Sequence, residues 1–384
     1  MKYDVIIIGG GVLGCATAYY LSTKGQKVLI VDQFLLQNSL NSSYDATRIL
    51  KFAHGNDVLK TKMAISSVTL YKALEKISGK QLFFPFPAFF PGKTDHAFLQ
   101  EKQTQLAKQI KANYIGNDTN DHHIAAVNLL EELGYSASLL TQKDIKTCYP
   151  QFMSNFGMVD ENAGILEASS TVDVLINLIK QQGVTILENK KVTKIQNHQV
   201  FLENGEIVTG EKIVVACGAW TRKLFEKKIP ILPIKKELIY ILPKSGSKTN
   251  FPIFLDINTG FYGVPMHNGN GIKIGNHYIG KEVDPDKVNR IVSKAFVRET
   301  RRYLQLVIPE LADGKIIKTK VCMYEMPPDE EFILDKISKN TYIIAGAGQA
   351  FKFAPLFGKL MSELVLGEKV SFDISRFSLK RFTE

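Results

Sequence analysis

The segment from Val5 to Gly14 leaves this chain few folds to choose from. Val5-Ile6-Ile7-Ile8 is a continuous apolar run, the pattern of a strand buried on both faces. Gly9, Gly11 and Gly14 follow at once in the spacing GxGxxG, with Val12 and Leu13 inside the turn. Ala16 to Ser22 then reads as a helix of small residues, and Lys27 to Val31 as a second buried strand ending in Asp32. In this setting the first glycine permits a tight turn. The second lets the backbone approach a pyrophosphate, and the third lets helix and strand pack closely. The positive end of the helix dipole meets the phosphates. Asp32, eighteen residues past Gly14, suits ribose hydroxyls and would repel a 2′-phosphate. The pattern points to a dinucleotide and away from NADP, with NAD and FAD both open.

A length of 384 residues exceeds what one hydrophobic core usually serves, so two domains are expected. The 48 Lys+Arg against 38 Asp+Glu leave a net charge of +10. The basic pairs, such as Lys190-Lys191 and Lys235-Lys236, are scattered, so the excess reads as a solvated exterior and no nucleic-acid partner is expected. Four cysteines (Cys15, Cys148, Cys217 and Cys322) share no CxxC, which argues against a disulfide scaffold and a metal site. No apolar stretch approaches the ~20 residues of a membrane span. The N-terminal run, broken by glycines, fails as a signal peptide. A cytoplasmic protein without a membrane partner is expected.

Further along, Asn38 to Ser43 is loop chemistry and a helix is expected over Lys60 to Lys76. Phe83 to Phe90, rich in Phe and Pro, looks like entry into another domain. A helix is expected over 97–112 and a loop over Tyr114 to His123. Thr171 to Gln182 reads as helix and Val184 to Leu187 as strand. Two short strands follow around a turn, at Val192 to Ile195 and Val200 to Leu202. Ile213 to Trp220 reads as a buried strand ending in small residues, and Pro230 to Lys320 as antiparallel. Thr341 to Gly346 closes the strands and Pro355 to Leu366 the helices. A glycine-marked buried strand near each chain end suggests FAD, whose ring must be gripped far from its adenosine.

Several segments together resemble the family of monomeric sarcosine oxidase and N-methyltryptophan oxidase, among the D-amino-acid-oxidase-like flavoproteins. They are Gly9 to Gly14, Asp45 to Lys51 with Ala53-His54-Gly55, Gly260 to Pro265, Gly271 to His277, Cys322 to Glu330, Gly348 to Phe353 and Asp373 to Ser378. They run in family order over nearly the whole chain. The resemblance implies a mixed α/β fold: a Rossmann-like FAD domain of segments 1–84, 148–225 and 320–384, and a substrate domain of 85–147 and 226–319 with a large, mostly antiparallel sheet. It implies oxidation of a secondary amine in an N-methyl amino acid by a monomer, with oxygen reduced to hydrogen peroxide. A cyclic, bulkier or glycated amino acid is the alternative substrate; a flavin dehydrogenase or a non-catalytic flavoprotein subunit is the alternative class.

The resemblance also implies roles for residues. Cys322 carries FAD through a thioether, and Lys318 and Lys320 lie close enough in sequence to favour its thiolate. Lys273 promotes reaction with oxygen, because a cation stabilises the negative charge that builds there. Ile272 and Ile274 face one way and Lys273, Gly275 and His277 the other, with Gly275 leaving room for a flat ring. His277 is an active-site histidine. Lys51, one helical step from Arg48, and Lys352 clamp the substrate carboxylate. Tyr262 and Tyr324 wall the amine, and Arg48 lies by the flavin ring. Ser42, Ser43, Thr47, Val192, Gly346, Gly348 and Phe351 complete the cofactor set. The chain departs from the family in three places. Lys51 stands where Arg is common, Tyr44 where a histidine flanks the flavin, and Gln349-Ala350 where His-Gly is usual. The other histidines (His54, His96, His122, His123, His198 and His267) have no such context and read as surface or structural.

Overall fold

The computed structural model describes residues 2–92, 119–225, 229–244, 251–278 and 280–382. The helix expected over 97–112, and His96, lie outside them.

The N-terminal pattern folds as its chemistry demands. Strand Lys2–Ile8 lies between Val28–Val31 and Ile207–Val215, parallel to both. Val5, Ile6 and Ile7 are fully buried, because helices cover one face and further structure the other. Thr185–Leu187 pairs parallel to Val28–Val31, and Thr341–Ala345 parallel to the end of Ile207–Val215. The hairpin Val192–Gln196 and Gln199–Leu202 extends the sheet antiparallel, and Ile333–Lys336, antiparallel to Thr341–Ala345, completes its eight strands. Helix Val12–Thr23 packs on the sheet together with Ala354–Leu366. At their crossing Gly358 lies against the backbone of Ala16, where a Cβ would not fit.

Gly9 takes φ +103°, a left-handed conformation that favours glycine, and so turns the chain from strand to helix. Gly14 packs on the carbonyl of Gly9, in the space a Cβ would need. Gly14→Ala is therefore expected to cost about 1–3 kcal/mol by overpacking, without a compensating contact. The check is a fall in the melting temperature of the purified protein.

A second sheet of nine strands contains Leu232–Leu242, Ile253–Leu255, Phe261–Val264, Ile272–Asn276 and Lys315–Met326. All of its pairings are antiparallel except that of Ile253–Leu255 with Ala88–Pro91. Helix Lys294–Val307 packs beneath it through Phe296, Tyr303 and Leu304, which share one helix face. The FFPFPAFF stretch splits between sheets. Phe83–Pro85 joins a three-stranded sheet with Thr47–Leu50 and Gly164–Glu167, while Ala88–Pro91 enters the nine-stranded one. Phe156–Asp160, inside the segment assigned to the cofactor domain, also pairs in the nine-stranded sheet.

Two expectations are corrected here. Residues 119–123 are not loop but the start of helix Thr119–Glu132, because His123, Ala126, Val127 and Leu130 form one buried face. Lys51 is not a helical step from Arg48. Thr47–Leu50 is a strand paired with Gly164–Glu167, as its β-branched Thr47 and Ile49 favour, and Lys51 follows its end.

Candidate active site

One cavity of about 1250 Å³ runs from the glycine turn to the nine-stranded sheet. That exceeds the space a drug-sized ligand fills and suits a dinucleotide with a small second molecule. Gly9, Gly11, Val12, Leu13, Asp32 and Val192 line one end. Asp32 accepts from the Gly10 amide at 2.7 Å and the Phe34 amide at 2.8 Å, one on each oxygen. Each oxygen keeps a lone pair for a ribose hydroxyl. The Ser43 hydroxyl accepts from the Val12 amide at 3.1 Å, and Ser42 donates to the Met323 carbonyl at 2.6 Å. Gly11 has no side chain to cap helix Val12–Thr23, so apart from the Val12 amide that Ser43 takes, its N-terminus stays open to phosphate. These donors and glycines fit FAD's pyrophosphate and ribose.

Arg48, Gly348, Phe351 and Cys322 line the middle of the cavity. Arg48 donates to Asp45 at 2.8 Å and to the carbonyls of Thr47 and Ser42, and lies over the Phe351 ring. Thr47 is buried behind the wall with its hydroxyl unpartnered, and Gly14 and Gly346 also stand off the cavity. Burial pushes the Cys322 thiol up, and nearby Arg48, Lys273 and Lys320 pull against it without prevailing. The expectation that Lys318 and Lys320 favour the thiolate is thus corrected: burial outweighs them, and Lys318 lies over the Tyr240 ring.

The far end carries the sequence-expected substrate residues. Strand Ile272–Asn276 brings Lys273 to the wall, where it is buried. Burial pushes its ammonium down to about 8, with Asp45 opposing that shift. Gly275 does leave room for a flat ring, but the ring is that of Tyr262, its cross-strand partner. Gly348 likewise makes way for Tyr324. The two phenols lie close to one another, and burial raises both. His277, just past the strand, accepts from the Gln349 amide at 3.4 Å, and burial with Lys236 nearby lowers it to about 3. A neutral imidazole accepting at Nε2 keeps its proton on Nδ1.

Lys51 and Lys352 are buried or half-buried cations on the same cavity. Among the described residues neither has a carboxylate partner. Lys51 donates to the Ala53 carbonyl and meets His54 Nδ1 at 3.3 Å; Lys352 donates to the Gln349 carbonyl at 3.3 Å. Burial lowers Lys51 to about 8 and Lys352 well below the usual lysine value, and each neighbours a like charge. Tyr71 pins the Lys352 turn by donating to the Phe351 carbonyl at 2.7 Å. Asp160 pins the Lys51 turn, accepting from the Phe52 and Ala53 amides at 2.6 and 2.9 Å.

Sequence reasoning set aside His54 and His122, yet both line the cavity beside Lys51. Their adjacency to Lys51 arises from a turn and from a distant helix, which no local pattern announces. Asp45, Asp160 and Lys236 were also missed. The one signal was the Asp45–Arg48 spacing inside the family motif.

No helix among the described residues is long and apolar enough to cross a membrane. Comparison with known proteins bears on the fold and the family. Monomeric sarcosine oxidase of Bacillus sp. (strain NS-129) is 30% identical over 397 residues, covering 99% of this chain and 97% of that protein. N-methyl-L-tryptophan oxidase of Salmonella heidelberg (strain SL476) is 27% identical over the full length of both. The structure of L-proline dehydrogenase from P. horikoshii superposes with a TM-score of 0.81 at 22% identity, covering all of this chain and 98% of that one. The family model for FAD dependent oxidoreductases (DAO) matches residues 4–364, and the chain belongs to that family.

Proposed function

We propose that this enzyme oxidises the secondary amine of an N-methyl amino acid and reduces oxygen to hydrogen peroxide. The observation that carries this reading is the pair of lysines, Lys51 and Lys352, facing the flavin cavity, neither in an ion pair with an acid among the described residues, with Asp160 and Asp57 reaching Lys51 only at a distance. A buried cation needs a counter-charge, and a substrate carboxylate supplies it. The relatives named for sarcosine and N-methyl-L-tryptophan support the amine class.

Bound FAD would supply the two-electron redox chemistry that links the C–N unit to oxygen. The substrate loses two electrons and two protons and becomes an imine, which water splits into an amine and an aldehyde. Oxygen takes up two electrons and two protons. The protein binds, orients and supplies charge. Lys51 and Lys352 hold the carboxylate. Tyr262, Tyr324 and the neutral His277 surround the amine and exclude water. Lys273 offers positive charge to the oxygen half-reaction. Cys322, on the cavity wall, is the residue for covalent attachment of FAD. The free cysteines support a cytoplasmic setting, and the relative named monomeric supports a monomer.

The test is an anaerobic titration of the purified protein with sarcosine, followed in the visible spectrum. Bleaching of the flavin bands, then one peroxide per turnover in air, is expected. A yellow protein that sarcosine and bulkier N-methyl amino acids all fail to bleach would refute the substrate class. Reduction without peroxide would indicate a dehydrogenase. After acid precipitation the flavin is expected to stay with the protein, and flavin released to the supernatant would refute attachment at Cys322.

A further inference from the structure

A single buried carboxylate ties the loop on the flavin side to the strand that carries Lys273. The Asp45 side chain is 1% exposed. One of its oxygens accepts from Lys273 Nζ at 2.6 Å and from the Arg48 guanidinium at 2.8 Å. The other accepts from the Tyr240 hydroxyl at 2.7 Å and has Lys320 Nζ at 3.8 Å. Tyr240 and Lys273 are direct cross-strand partners, so their side chains leave the sheet on one face and reach the same carboxylate. Lys273 makes its other hydrogen bond to the Thr47 carbonyl at 2.8 Å, two residues past Asp45 at the start of strand Thr47–Leu50.

The surroundings show why that carboxylate matters. Around the Lys273–Asp45 pair stand Arg48 on strand Thr47–Leu50, Tyr240 on the strand adjoining Lys273, Lys320 and Cys322 on the strand beyond, and Tyr262 on the strand on the other side. Among the described residues Asp45 is the one acid in contact with Lys273. Without it, an ammonium buried beside a guanidinium and another lysine would lose its counter-charge, and such groups shed their proton. Its position would loosen too, since the Thr47 carbonyl alone would remain.

We propose that Asp45 is a positioning residue for the oxygen half-reaction, holding the Lys273 ammonium charged and in place at the cavity wall. The proposal rests on the reading of Lys273 given above and adds the group through which that lysine keeps its charge. Burial pushes Lys273 down to about 8, and the Asp45 carboxylate is the main group that opposes this. Loss of the carboxylate moves the midpoint further down, so less of the charge survives at neutral and mildly alkaline pH, and it returns in acid. For its own part, Asp45 stays ionised throughout. Burial opposes its charge, but Lys273, Arg48 and Lys320 outweigh that and hold the carboxyl well below the usual range.

The experiment compares wild type, Asp45→Asn, Asp45→Glu, Lys273→Met and the Asn/Met double variant. Flavin reoxidation by oxygen is measured in stopped flow between about pH 6 and pH 9. Asp45→Asn is expected to slow reoxidation about tenfold at pH 8, with recovery toward pH 6, because one pKa unit is a tenfold change in charged fraction. Asp45→Glu, which keeps the charge, restores most of the rate. On the Lys273→Met background the Asn substitution adds little, since both act through one group. The second readout needs no flavin: the Lys273 13Cε resonance is titrated in flavin-free, 13C-lysine-labelled protein, assigned by its loss in Lys273→Met. Its midpoint is expected about one unit or more lower in Asp45→Asn. An unchanged midpoint, or an Asn effect of equal size with Lys273 absent, overturns the proposal. A Lys273 already neutral at pH 7 in wild type overturns it as well, even if the Asn variant does not fold. Normal reoxidation in Lys273→Met would instead refute the reading of Lys273, and the resonance would still report whether Asp45 holds its charge.

Discussion

Replacing Lys273 with methionine is expected to slow reoxidation of the flavin by oxygen by about 10²–10³-fold, the usual effect of removing one preorganised charge-stabilising group. Reduction of the flavin by substrate should change far less. The asymmetry follows from where charge develops. Oxygen gains electrons and becomes an anion, whereas an amine that loses electrons gains no negative charge. Lys273 is buried and anchored by Asp45 and the Thr47 carbonyl, so its charge is in place before oxygen arrives. Methionine matches the stem in length and polarisability, which spares the packing. Stopped-flow measurement of the two half-reactions separates the outcomes. Equal slowing of both would refute the assignment.

The second large effect is expected at Lys352. Lys352→Met should weaken binding of the substrate carboxylate by roughly 10–100-fold, the ~1.5–3 kcal/mol of a charge-assisted hydrogen bond. The flavin should remain bound and the melting temperature should hold or rise. That combination distinguishes a substrate ligand from a structural lysine. Lys352 has a backbone acceptor and aromatic neighbours but no acid partner among the described residues, so folding gains little from its charge. Burial, Lys51 and Lys60 all act to strip its proton. A bound carboxylate reverses that balance. Perturbation of the flavin spectrum by a titrated substrate carboxylate, with oxygen excluded, gives the dissociation constant. Unchanged affinity in the variant would remove Lys352 from the substrate site.

The first 32 residues were legible because every requirement there is local. Gly9 to Gly14 must turn, admit phosphate and pack within one strand–helix unit, and Asp32 closes the adjoining strand. Lys273 was legible through strand alternation, and Lys352 through its aromatic neighbours in a family motif. Lys51 was found as a residue and misplaced as a helical one, since a spacing of three fits a helical turn and says nothing of a strand that pairs with residues 164–167. The flat ring expected against Gly275 was real, but local alternation could not say it belongs to Tyr262.

Sequence alone determined the dinucleotide turn, the family and the residue types at the site, because glycine geometry and strand periodicity act over a few neighbouring residues. Only the tertiary structure decided which charges meet. Asp45 reaches Lys273 across 228 positions of chain, and His54 and Lys51 find Lys352 from the opposite end of the sequence. Burial decided the rest. It raised the Cys322 thiol against three cations, lowered Lys51 and Lys352, and left His277 neutral. Desolvation depends on everything packed around a group, and that is set when distant segments close over the cavity rather than by the residues beside it in sequence.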